Sequence, residues 1–142
     1  MRRKMVVGLL IVGIALIGGG VWVRVMAIDN ARFEATPGPE AVGDHKLMGG
    51  AKSVRALTDL PDAAFQKLLA QISETPRTNR IGSQTTPASF VTRSAVFGFP
   101  DVTVVWVADG NLHIHGHLVY GGSDLGVNSA RIRKWWDALG QR

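Results

Sequence analysis

"VTVVWVADGNLHIHGHLVY", residues 102–120, decides how this chain folds. Val102 to Val107 is β-branched almost throughout, the composition of a strand. Asp109-Gly110 supplies a tight hairpin turn, because glycine tolerates positive φ. Asn111 to Tyr120 then returns as the paired strand. Within it His113, His115 and His117 alternate with Leu112, Ile114, Gly116 and Leu118. Successive side chains of a strand point to opposite faces, so the aliphatic residues are expected to face a core and the imidazoles solvent or a partner.

The neighbouring segments extend this hairpin into a sheet. Ser89 to Val96 reads as another strand, Thr78 to Gly82 as a weaker one and Lys52 to Leu57 as a short one. Ala64, Phe65, Leu68, Leu69 and Ile72 recur at helical spacing. Pro61 suits the first turn of that helix, with Thr58 or Asp59 near its cap. A last helix spans Val127 to Leu139, with Ile132, Trp135, Trp136 and Leu139 at i, i+3, i+4 and i+7. Asp124 or Asn128 can cap its start, and Gly140 stands where a C-terminal glycine belongs. The order β-α-β-β-β-β-α predicts an α+β fold, an antiparallel sheet with two helices covering one face.

A different kind of segment precedes this domain. Met5 to Val23 is a 19-residue run without a charge. As a helix it would be about 28 Å long at 1.5 Å per residue, close to the hydrocarbon thickness of a bilayer. Trp22 and Arg24 suit the interface at its end. Arg2, Arg3 and Lys4 precede the run, so the positive-inside rule puts the N-terminus in the cytoplasm and the rest, in a bacterium, in the periplasm. The rival reading is a cleaved signal peptide ending at Val25-Met26-Ala27. The chain therefore divides into a basic start and anchor (1–27), a Pro- and Gly-containing linker or strap (28–51) and an α+β domain (52–142).

The net charge of +5 misleads about partners. Residues 28–142 carry 12 basic against 11 acidic side chains, too balanced for a nucleic-acid binder. With no cysteine, thiol catalysis, disulfides and thiolate metal sites are excluded.

"FVTRSAVFGFPDVTVVWV" and "LVYGGSDLGVNSARIRKWWDAL" together carry a resemblance. The Phe99-Pro100-Asp101 turn and the segment Tyr120, Gly121, Ser123, Asp124, Leu125, Gly126, Val127, Asn128, leading to Arg131 and Arg133, resemble domain-of-unknown-function family 1499 over about residues 52 to 140. Many relatives carry a cysteine near the start of the domain, and small or basic polar residues where His115 and His117 stand; this chain departs at each position. The resemblance implies the fold and an envelope location. It carries no established activity.

Candidate sites are few. His113, His115 and His117 form the alternative metal set, but three alternate residues span about 13 Å, too far for one tetrahedral ion without a bend. Ser123-Asp124 lacks a nucleophile elbow, and Gly121-Gly122-Ser123 lacks the lysine of a phosphate loop. Phe99, Pro100, Asp101, Ser123, Asp124, Gly126 and Asn128 read as structural motif residues, with Asp101 and Asp124 in turns. In the last helix, Arg131, Arg133 and Lys134 give a basic face. Trp135 and Trp136 point about 100° apart. One indole is expected in the core and the other, Trp136, at a rim open to a partner. These features predict a non-enzymatic chain without cofactor, anchored in lipid through residues 5–23 and serving as accessory subunit of an inner-membrane complex of the respiratory kind. The alternative is a periplasmic metal- or small-ligand-binding protein using the histidines.

Overall fold

The computed structural model describes residues 2–35 and 38–140; Met1, Thr36, Pro37, Gln141 and Arg142, which include parts of the expected strap and domain, lie outside the described residues. Helix α1 spans Arg2–Val25, followed by a 3-10 turn at Asn30–Phe33. Then come β1 (Gly43–Leu47), β2 (Gly50–Ala56), α2 (Ala64–Glu74), β3 (Thr78–Ile81), β4 (Ala88–Arg93), β5 (Pro100–Ala108), β6 (Asn111–Leu118) and α3 (Val127–Ala138). The six strands form one antiparallel sheet in the order β1-β2-β6-β5-β4-β3. The fold is α+β, as the hairpin at 102–120 implies.

The segment expected as a linker is structured in part. It holds the 3-10 turn and the edge strand β1, paired from Gly43 with Val54 to Leu47 with Gly50. An edge strand of five residues, half of it solvent-facing, leaves too short a pattern to read from sequence. The start of α2 also differs. Thr58 Oγ donates to the Asp59 carboxylate at 3.2 Å instead of either residue capping a helix. Leu57–Asp59 closes as a 3-10 turn, and α2 begins only after Ala63, whose φ is 57°. At α3 the expected cap by Asp124 is present: its carboxylate accepts from the backbone N–H groups of Gly126 at 3.1 Å and Asn128 at 2.8 Å.

Helices α2 and α3 cover one face of the sheet. Leu68, Ile72, Phe90, Val105, Leu112, Ile114 and Trp136 meet there, fully or almost fully buried. Each large apolar side chain so buried contributes on the order of 1.5–3 kcal/mol. The two indoles resolve differently from the expected core-and-rim division, because both are buried. Trp135 donates from Nε1 to Thr75 Oγ1 at 3.0 Å, closing against the end of α2. Trp136, only 2% exposed, donates to Ser53 Oγ at 2.8 Å and lies down on β2. With a second helix beside α3 and the sheet beneath it, a 100° arc is wide enough to bury both.

The opposite face is also covered. Val91, Val102, Val104, Trp106 and Val119 form a second cluster, on which Ile28 and Phe33 pack. Ser89 Oγ donates to the Phe33 carbonyl at 2.6 Å, and Arg32 donates to the Leu118 carbonyl at 2.9 Å. The strap thus crosses β4, β5 and β6.

Close approach of α3 depends on Gly116. A Cβ there would stand 2.8 Å from Asn128 Oδ1 and 3.2 Å from two other side-chain atoms of Asn128. Asn128 is itself almost fully buried, so the helix would have to lift. We expect Gly116→Ala to destabilise the domain by about 1–3 kcal/mol in chemical denaturation, the range for an overpacked core. An unchanged midpoint would show that α3 can shift at no cost.

Candidate functional site

The motif residues converge on the start of α3. Asp101, near the start of β5, is buried and pairs with Arg131 at 3.1 Å. Burial raises its pKa against the opposing pull of the Arg131 charge and hydrogen bond. Arg131 also donates to Asn128 Oδ1 at 3.0 Å. Asp124 is a lowered carboxylate: burial pushes it up, but the backbone N–H groups of Asn128 and Gly126 outweigh that. Ser123 Oγ accepts from the Leu125 N–H within its own loop. Gly126 stands at the cap with φ 81°, Pro100 opens β5, and Phe99 remains partly exposed. Asp101, Asp124, Asn128 and Arg131 therefore tie α3 to the sheet. Arg131 is occupied there, while Arg133 and Lys134 are exposed on the outer side of α3.

A second polar group joins β1, β2 and α3. Ser53 Oγ donates to Asp44 at 2.6 Å, and Arg55 pairs with Asp44 at 2.9 Å while lying 5.4 Å from the Trp136 ring centroid. Asp44 is lowered: burial raises it, but Ser53, Arg55 and the Arg133 charge together exceed that effect. Beside this group, Lys46, Ser129 and Arg133 help line a depression of about 340 Å³.

The histidines do not face open water. Their side of β6 is the strap side, opposite Val102, Val104 and Trp106 in register. His113 is 3% exposed and stacks on Trp106, with centroids 5.0 Å apart and planes 9° from parallel. The expectation of a solvent- or partner-facing stripe fails for His113, because the chain between α1 and β1 lies over that side, while His115 and His117 are half-buried. Lys52 opposes His115 and is almost completely buried. Its ammonium lies 5.0 Å from the Trp106 ring centroid and has no hydrogen-bond partner among the described residues. Burial lowers the Lys52 pKa, with the Glu40 charge opposing. Burial, then Lys52, lowers that of His113.

His115 and His117 form a separate pair. Their rings stack at 4.7 Å and border a cleft of about 660 Å³ with Asp29, Arg32, Met48 and Leu118. Burial, then the charges of His117 and Lys52, lowers His115 to about 4. Burial and the Arg32 charge lower His117 to about 4. Both are neutral at pH 7. Two neutral imidazoles can donate lone pairs to a metal, but His113 is turned to Trp106 and does not complete the set. Among the described residues, no group of three His, Cys, Asp or Glu side chains is placed to hold an ion.

A family model described as a protein of unknown function (DUF1499) matches residues 41–139. The chain belongs to the DUF1499 family. The match begins just before β1 and ends just past α3, so the sheet and both of its helices are the DUF1499 domain. Helix α1 and the turn at Asn30–Phe33 lie outside it. No curated protein and no solved structure matches the chain.

The cleft histidines give the domain a pH dependence. Their folded pKa values lie below the ordinary 6.5, so the unfolded chain binds more protons between those limits and stability rises with pH. The contribution is complete above about 6.5 and is lost as pH falls towards about 4. Unfolding midpoints measured across that window should fall with acidification. The double variant His115→Asn/His117→Asn should flatten the fall; an equally steep profile would place its origin elsewhere.

Proposed function

We propose that this DUF1499 protein is a single-pass, inner-membrane-anchored chain with a periplasmic domain, acting without chemistry of its own as an accessory or stabilising subunit of a larger bacterial membrane complex, of the respiratory kind. The observation that carries this reading is the hydrogen-bonded, packed junction between the apolar helix and the domain. Arg93 donates to the Val23 carbonyl at 3.1 Å, and Arg24 to the Val96 carbonyl at 3.3 Å. The chain leaving α1 then packs directly on the sheet through Ile28 and Phe33. A domain held in one orientation at the end of its anchor suits a subunit seated against fixed neighbours; a flexible tether would suit a roaming binder.

Other features agree. Residues Arg3–Val25 form a helix long and apolar enough to cross a membrane. The basic residues at its start favour a cytoplasmic N-terminus. Ideal Cβ atoms at Gly8, Gly13, Gly18 and Gly19 would meet nothing within 4 Å, and small residues at these positions allow a neighbouring helix to approach closely. The motif carboxylates are engaged in hydrogen bonds that hold α3 in place. Arg133 and Lys134 remain available for contact with an acidic surface.

Mild-detergent solubilisation, native electrophoresis and mass spectrometry of a C-terminally tagged chain should find it co-migrating stoichiometrically with one large membrane complex. Migration as a free monomer overturns the proposal. Lys134→Glu, on the exposed side of α3, should weaken co-migration without moving the unfolding midpoint. A second reading, metal or small-ligand binding, rests on the paired imidazoles at the cleft. Calorimetric titration with zinc or copper would favour it if heat appears and is lost in His115→Ala/His117→Ala.

A further inference from the structure

The two ends of the sheet differ in character. At one end lie the β1–β2 turn, the β4–β5 loop and the loop from β6 into α3. The register places them together, since Gly50 opposes His117, Leu118 opposes Asp101, and Pro100 opposes Arg93. Each loop tip carries an exposed apolar side chain. Met48 is 94% exposed, Leu125 92%, Val96 73%, Phe97 60% and Phe99 43%. From the β1–β2 turn to the β4–β5 loop is three strand spacings, about 14 Å at roughly 4.8 Å each. At the other end, the β5–β6 turn presents Asp109 and Gly110, and the β3–β4 loop presents Ser83, Gln84, Thr85 and Thr86, all exposed, with Val42, Leu57 and Val107 the large apolar side chains exposed there.

Helix α1 leaves from the apolar end. Arg24 and Arg93 join its last turn to the β4–β5 loop. A Cβ on Gly98, whose φ is 73°, would come within 2.6 Å of Arg24 Cγ, so the loop tip is pressed against the helix end. Large apolar side chains such as Leu10 and Ile14 are exposed along α1, and the membrane-spanning window is not buried against the domain. The β4–β5 tip thus stands against Arg24, where an anchor helix would emerge from lipid, and the other two tips lie at the same end of the sheet.

We propose that this end of the domain is a membrane-contact face, with Met48, Val96, Phe97, Phe99 and Leu125 seated in the headgroup–acyl boundary around the emerging helix. The inference rests on the membrane reading above. Three loops distant in sequence place large apolar side chains on one rim, and the lipid surface is the partner continuous with α1. Aromatic side chains suit this boundary, and exposed apolar patches of this kind mark contact sites. Arg24, held by the Val96 carbonyl, stands where its guanidinium can reach lipid phosphates.

The absence of cysteine makes single-site labelling direct. Nitroxide labels would be placed on the full chain as Met48→Cys, Phe97→Cys and Leu125→Cys, with Leu10→Cys in α1 and Asp109→Cys at the far end. In phosphatidylcholine–phosphatidylglycerol vesicles, accessibility to oxygen and to a water-soluble nickel chelate reads depth. The three rim labels should favour oxygen over the chelate more than Asp109→Cys does and less than Leu10→Cys does. Chelate accessibility equal to that of Asp109→Cys, with Leu10→Cys still in lipid, overturns the contact face and leaves the anchor standing. Shielding of the rim labels from both reagents also overturns it, because a protein surface would then cover them. A Leu10→Cys label accessible to the chelate removes the anchor itself, and the contact face with it.

Discussion

A central strand buried on both faces is the constraint on which the structure depends. In β5, Pro100 to Trp106 is buried without interruption, so its side chains require cover from above and below. Helices α2 and α3 cover one side. Among the described residues of the DUF1499 domain no third helix covers the other, and the residues between α1 and β1 take that place through Ile28 and Phe33. Covering β5 thereby fixes the path of the chain out of the apolar helix. The junction between helix and domain follows from core packing.

Electrostatics follow from the same arrangement. The strap side buries Lys52 and His113 and half-buries His115 and His117 beside Trp106 and the valines, where charged forms are disfavoured. Lysine and histidines alike are pushed towards neutrality. On the helix side the polar groups are arranged in complementary fashion. Asp101 meets Arg131, Asp124 meets backbone N–H groups, and Asp44 meets Ser53 and Arg55. One face holds basic side chains whose charged forms burial disfavours, and the other holds ion pairs that orient α3.

Much of the candidate site was legible only as a pattern. The His113–His117 alternation established a shared face but not what lies over it, since a polar stripe reads the same under water or under a strap. The uninterrupted run VTVVWV was the signal to heed: a half-exposed strand alternates, and this one does not. The Ser-Asp-Leu-Gly-Val-Asn segment located the start of α3. Its link to Asp101 on β5, made through Arg131, required the register between β5 and β6. Trp136 was misplaced at a rim because helical spacing gives angles between side chains and says nothing of how wide the buried arc is.

The sequence by itself determined what depends on neighbours along the chain: the hairpin at 102–120, the apolar 19-residue run, the period of α3, the Asp124 cap and the family to which the domain belongs. Tertiary structure alone decided what depends on partners distant in sequence. It brought Ile28 and Phe33 onto the second face, hid His113, buried both indoles, and gathered Met48, Phe97 and Leu125 on the rim from which α1 departs. Local propensity and periodicity act over a few residues and are written in order. Burial is a property of whichever surfaces meet, and here they meet across as many as 86 residues, the separation that Arg32 spans to reach Leu118.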